Sequence, residues 1–171
     1  MPRGTAAATT AATLDAVKAK LGMVPNLFST FARAPAVLDA YLGLGDALSK
    51  GKLTARQREI ITLAVSQANS CQYCLSAHTT LAKRAGLTES EVRDARAGVA
   101  RDRLEAAIAA LALQIVQERG NVSDNDFEAA KASGIDESMM VEILGNVSVN
   151  ILTNYTNNFA RTEIDFPVVS L

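Results

Sequence analysis

The sequence predicts an all-α protein. Helix start and stop signals recur along most of the chain, no pair of segments shows a strand–turn–strand pattern, and the apolar residues are chiefly Ala, Val, Ile and Leu. Residues 1–13 are Ala/Thr-rich without periodicity and read as a flexible arm. Leu14 to Leu21 reads as a helix stopped by Gly22, and Val24-Pro25-Asn26 turns into a short helix that ends before Pro35. Pro35 suits the first turn of the next helix, which runs to about Ser49. Thr54 and Gln57 form a capping box for a helix to about Asn69. Ser70 is the expected cap of a helix from Cys71 to Ala85, closed by Gly86. Thr88 and Glu91 make a second capping box, for a short helix ending near Gly98. Arg103 to Arg119 follows with Gly120 as its stop; Ser123 caps 124–132, ended by Gly134. Asp136 caps a last long helix to about Arg161, and Pro167 sits in a loose tail. The count is eight or nine helices, and period-two alternation occurs only in the short tail Phe166 to Leu171.

Composition narrows the function classes. A chain of 171 residues suits one domain, 1–171, with the chemistry concentrated in 50–98 and further helices over 104–167. Seventeen Lys plus Arg against eighteen Asp plus Glu leave a formal charge of −1 and no basic stripe, so no nucleic-acid partner is expected. No apolar run approaches the roughly 18–20 residues that cross a bilayer, which excludes a membrane anchor of that kind. The first residues lack the apolar block of a secretory signal, and two cysteines do not make a disulfide scaffold, so the expected compartment is the cytoplasm. Glycines never cluster as G-x-G-x-x-G after a strand; no flavin, nicotinamide or nucleotide cofactor is expected.

The segment Ser70 to His78 holds the concentrated chemistry. On a helix, Cys71, Cys74 and His78 fall within an arc of about 60°. Residues three apart sit close enough for a disulfide after slight tightening, and His78 lies one turn beyond Cys74, in position to hold a thiolate or take its proton. Cys71 at a helix start gains from the unpaired amides there, so both thiols are candidate thiolates. The bland alternative is that three small or polar residues simply pack. A zinc site would need a fourth ligand that no other Cys or His supplies, so no metal is expected. Glu59, with Thr62 and Ser66 at i+3 and i+7, reads either as part of a solvated face or as a carboxylate packed against the cysteine helix to orient His78.

Glu59 followed after eleven residues by Cys71-x-x-Cys74-x-x-x-His78 resembles the core motif of the alkylhydroperoxidase D (AhpD-like) and carboxymuconolactone decarboxylase superfamily. The flanks Leu53-Thr54-x-Arg56-x-Arg58-Glu59 and Ala85-Gly86-Leu87-Thr88 agree, and Thr153-Asn154-Tyr155 through Thr162-Glu163-Ile164-Asp165-Phe166-Pro167 resembles its peroxidase-related branch. The resemblance implies an AhpD-like helical bundle, assembled as a homo-oligomer, often a trimer or hexamer. It implies that Cys74 attacks a hydroperoxide, Cys71 resolves, Glu59 and His78 form the proton relay, and an external dithiol or redox protein returns the electrons. Two positions depart from the pattern. Tyr73 stands where the best-known peroxidases carry a second His, and can donate a hydrogen bond but not act as a base at neutral pH. Asn158 stands where a His is expected after Asn157.

Three functions compete on these grounds: a thiol peroxidase, a non-enzymatic redox sensor or interaction module using the same dithiol, and a lactone-acid decarboxylase. The last would want an Arg or His cluster that the sequence does not place. The final helix adds one expectation. Asn146, Asn150, Asn154 and Asn157 form a stripe at helical spacing, opposite Met140, Ile143, Leu144, Val147 and Ile151. Asn is a poor helix former, so the stripe is expected to meet another surface, here taken as a second subunit.

Overall fold

The computed structural model describes residues 8–171, and among these it is all-helical. Nine helices follow in order: α1 Ala8–Leu21, α2 Asn26–Phe31, α3 Pro35–Ser49, α4 Ala55–Ala68, α5 Gln72–Arg84, α6 Glu89–Arg96, α7 Arg103–Gln117, α8 Asp124–Ala132 and α9 Glu137–Ala160. Four caps, Thr54, Thr88, Ser123 and Asp136, are those the sequence signals, and Asp102 is a further one. Thr54 and Thr88 close complete capping boxes with Gln57 and Glu91, while the Asp102, Ser123 and Asp136 side chains each accept from a first-turn amide.

Two boundaries differ from expectation. Helix α1 begins at Ala8, because an Ala-rich stretch has high helix propensity even without an amphipathic pattern; residues 1–7 of the expected arm lie outside the described residues. Ser70 is not a cap. It sits at φ +51, in the left-handed region, where it terminates α4: its N–H bonds to Gln67 O and the Cys71 N–H to Ser66 O. Cys71 is therefore itself the N-cap of α5, its sulfur accepting from the Cys74 N–H at 3.3 Å. The reversal between the two helices takes only three residues, 69–71, which fixes the dithiol against the C-terminal end of α4.

Helix α4 is the axis of the bundle. Ile60 through Ser66 are all buried, packed by α5, α6, α7 and α9. On one side Ile61 and Val65 join Ile108, Leu111, Ile143 and Val147; on another Ile60 and Leu63 join Leu75, Val92 and Ala109. Truncating such a fully buried Ile to Ala costs about 2–5 kcal/mol. Charged groups lock the N-terminal end of α4: the Arg56 guanidinium donates to Glu105 of α7 and Glu91 of α6, both at 2.7 Å, and to Gly86 O. The loop before α4 is tied to α9 by the Glu142 carboxylate, which accepts from the Lys52 and Leu53 amides. A Cβ at Gly51 would fall 2.3 Å from Glu142 Oε1, so any larger residue there would displace this carboxylate.

The C-terminal tail is not loose. No strand forms in it; instead the tail crosses α5 and α2, with Gln72 donating to Val169 O, the Val169 N–H to Ser76, Arg96 to Ser170 O, and Asn26 to Glu163 O. Its polar backbone is paired by side chains, which period-two reasoning does not detect.

Candidate active site

Helix α5 brings Cys74, Ala77, His78, Leu81 and Arg84 to one cavity of about 540 Å³, roofed by α1, α2 and α3 and walled by the tail residues Asp165, Phe166 and Pro167. Cys71 and Cys74 are joined as a disulfide with Cα atoms 5.3 Å apart, inside the ordinary range for such a bridge. They are not equivalent. Cys71 is fully buried in an apolar cluster with Phe28, Phe31 and Leu38, whereas Cys74 lines the cavity.

Glu59 is not on a solvated face. Its Oε2 lies 2.8 Å from His78 Nδ1, across the α4–α5 contact, and both side chains are mostly buried, 17% and 27% exposed. An ionised carboxylate only accepts, so the pair places the proton on Nδ1 and leaves Nε2 as the basic nitrogen of a ring that lines the cavity. Among the described residues no hydrogen bond joins His78 to Cys74; the two face the same cavity rather than each other. The negative charge of Glu59 also reaches Tyr41, whose hydroxyl is pushed above its ordinary range first by burial and then by that charge.

Tyr73 acts on the tail and not on the sulfur. Its hydroxyl donates to Asp165 Oδ1 at 2.8 Å and accepts from the Leu27 N–H, while Asp165 Oδ2 accepts from the Asn26 N–H. Burial pushes the Tyr73 hydroxyl well above its ordinary value; the Leu27 amide opposes this and the Asp165 carboxylate adds to it. A proton-transfer role at neutral pH is thereby removed further, and what remains is a clamp between α5, α2 and the tail.

The sequence reading missed Asn157. Its Nδ2 donates to Cys74 Sγ at 3.3 Å, its Oδ1 is buried without a partner, and the residue lines the cavity. The asparagine stripe supplied the signal, but its destination was wrong. Asn150 donates to Thr62, Asn154 to Ser66, and Asn69 to Asn154, all inside one chain. Periodicity shows that a polar face needs partners and cannot say which surface supplies them. The side of α9 left outward is apolar: Val141, Leu144, Leu152, Tyr155 and Phe159 are exposed, the last at 80%.

The carboxymuconolactone decarboxylase family model matches residues 35–118, a span that holds Glu59, both cysteines and His78. Over that span the chain is similar to the family, and its fold as a whole is AhpD-like. A peroxidase-related protein with an AhpD core from Ralstonia eutropha JMP134 superposes with a TM-score of 0.83, over 98% of this chain and 91% of that one, at 24% identity. A peroxidase-related protein from Silicibacter sp. TM1040 gives 0.83 as well, over 95% and 88%, at 20% identity. The debrominase Bmp8 gives 0.76 over 92% and 87%, at 18% identity. At these identities the likeness establishes the AhpD-like fold. An uncharacterized protein of Haemophilus influenzae is 47% identical over 45 residues, which cover 26% of this chain and 40% of that protein, so the chain matches well under half of that relative. Among the described residues no helix is long and apolar enough to cross a membrane.

Proposed function

We propose that the protein is a thiol-dependent peroxidase of the alkylhydroperoxidase type. The observation that carries the reading is the inequality of the two cysteines: Cys74 opens to a cavity shared with His78, which Glu59 orients, while Cys71 lies sealed behind it. In the reduced protein, the Cys74 thiolate attacks the terminal oxygen of a hydroperoxide. An S–O bond forms, the O–O bond breaks, and the departing alkoxide takes the proton that His78 Nε2 has drawn from the Cys74 thiol, Glu59 stabilising the imidazolium in between. The Cys71 thiolate then attacks the Cys74 sulfenic acid, releasing the hydroxyl as water after protonation and forming the disulfide. An external dithiol, itself oxidised to a disulfide, restores both thiols by exchange. The protein works in the cytoplasm as a homo-oligomer, with no bound cofactor or metal.

Hydroperoxide consumption supported by dithiothreitol tests the reading. Cys74→Ser should abolish turnover and sulfenic-acid trapping; Cys71→Ser should stop turnover but retain trapping on Cys74; Glu59→Gln should slow the first oxidation at neutral pH. Oxidation to the disulfide without sustained turnover would instead identify a redox sensor. Trapping on Cys71 in the Cys74→Ser protein, with none on Cys74 in the Cys71→Ser protein, would overturn the assignment.

A further inference from the structure

The cavity over Cys74 has a polar end, an apolar middle and a cationic mouth. At the floor Cys74 and Asn157 line the cavity, the Asn157 amide donating to Cys74 Sγ. The middle is lined by Val17, Leu27, Phe28, Leu42 and Leu81, and its volume of about 540 Å³ falls in the range that encloses a small organic ligand. Hydrogen peroxide would leave this apolar space unused. At the mouth, Lys20 of α1 and Arg84 of α5 both line the cavity and are exposed. The acidic groups in the same wall are already engaged. Asp46 is held by Lys50 at 2.6 Å, which lowers its pKa, Asp165 accepts from Tyr73 and Asn26, and Glu59 faces His78. Among the described residues neither Lys20 nor Arg84 has a carboxylate within ion-pair distance, and Lys20 only adds at longer range to the charge that Lys50 places on Asp46.

We infer that the cavity selects an apolar hydroperoxide that carries a carboxylate at its far end; the inference rests on the peroxidase reading and narrows its substrate. The hydroperoxide end lies at the floor and presents its terminal oxygen to Cys74. The hydrocarbon lies along α5, and the carboxylate reaches Arg84 and Lys20. Cys74 and Arg84 are ten residues apart on one helix, a rise of about 15 Å, so the ligand must be elongated rather than compact. The bonds made and broken are those of the peroxidase step; the carboxylate takes no part in them and sets only binding.

Two measurements on the full-length protein separate this inference from the reading it rests on. Binding of linoleic acid, which has no peroxide group, is compared by calorimetry with binding of its methyl ester. Reduction of linoleic acid hydroperoxide and of that hydroperoxide's methyl ester is followed with dithiothreitol as donor. Each is repeated with the Lys20→Gln/Arg84→Gln protein, whose two substitutions lie on exposed side chains. The expected result is a preference for acid over ester of about tenfold, the sum of two exposed charge contacts, in Kd and in kcat/KM alike. In the double variant the acid should fall to the ester's Kd and kcat/KM, so that the preference vanishes. Equal binding of acid and ester by the unsubstituted protein, or a preference that survives the double substitution, would overturn the inference. Acid preference in binding with no reduction of either hydroperoxide would uphold the carboxylate end and overturn the peroxidase reading.

Discussion

Replacing Asn157 with Ala removes the one side-chain hydrogen bond to Cys74 Sγ, now 3.3 Å long. In the reduced protein the same amide would donate to a thiolate, and hydrogen bonds to charged groups contribute about 1.5–3 kcal/mol. At about 1.4 kcal/mol per unit, the Cys74 pKa should rise by about one to two units. Thiolate nucleophilicity recovers part of the loss, since it increases with basicity with a slope near 0.4–0.5. Below the thiol's own pKa, the rate of alkylation by iodoacetamide should therefore fall about three- to sixteenfold. The substitution leaves no new orphan in the fold, because Oδ1 already has no partner and sulfur is a weak acceptor. The assay is the pH dependence of alkylation in the Cys71→Ser background, so that a single thiol reports. Asn157→Asp is the companion variant: a carboxylate beside the sulfur should raise the midpoint further. An unchanged midpoint in Asn157→Ala would show that the contact belongs to the disulfide form alone, and the argument would fail.

Other outcomes follow from the geometry. The exposed apolar side of α9 should be covered in an oligomer, so Leu152→Glu/Phe159→Glu should sediment as an 18.1 kDa monomer while the unsubstituted protein sediments as a larger species; a monomeric unsubstituted protein would refute this. Glu91 is held down to about 2, first by Arg56 and then by the Thr88 amide and hydroxyl, from an ordinary 4.5. Its folded-state pKa is depressed, so its stabilising effect is complete above 4.5 and disappears as the pH falls toward 2; Glu91→Gln should flatten that part of the acid-unfolding profile. Tyr73 titrates above its ordinary 10, so the stability it contributes is complete below pH 10 and is lost as the pH rises through the raised value. Tyr73→Phe should speed backbone hydrogen exchange in the tail at neutral pH and remove that alkaline dependence.

The helices were legible because each announces its own start. Thr54, Thr88, Asp102, Ser123 and Asp136 cap through bonds that span three residues, and local chemistry of that kind is written in sequence. The turn at Ser70 failed for a related reason. Serine is a common N-cap, and nothing local distinguishes that role from a left-handed helix end, where Gly or Asn is usual. The pairing of Glu59 with His78 required knowing how α4 and α5 fold back on each other, and the composition of either helix leaves that open. The grip of Asn157 on Cys74 spans 83 positions and lay beyond any local rule.

The asparagine stripe gains a physical meaning from its partners. Along α4, Glu59, Thr62 and Ser66 lie on one polar line within a buried helix; along α9, Asn150, Asn154 and Asn157 match it. Thr62 takes Asn150, Ser66 takes Asn154, and the line ends where Asn157 meets Cys74. An apolar seam between these helices would tolerate sliding or rotation at small cost, since Leu, Ile and Val interchange contacts freely. A seam of buried amides does not. Rotating α9 by one residue, about 100°, would strand several polar groups at once, each costing about 1–3 kcal/mol. Register is thereby enforced over about two turns of helix, and its last member is the amide aimed at the sulfur. Poor helix propensity at four Asn positions is the cost of that alignment, and the 24-residue length of α9 with its packed apolar flank carries it. Polarity in the core of this bundle therefore runs toward the dithiol and terminates on it, which is where an amide donor has a thiolate to stabilise.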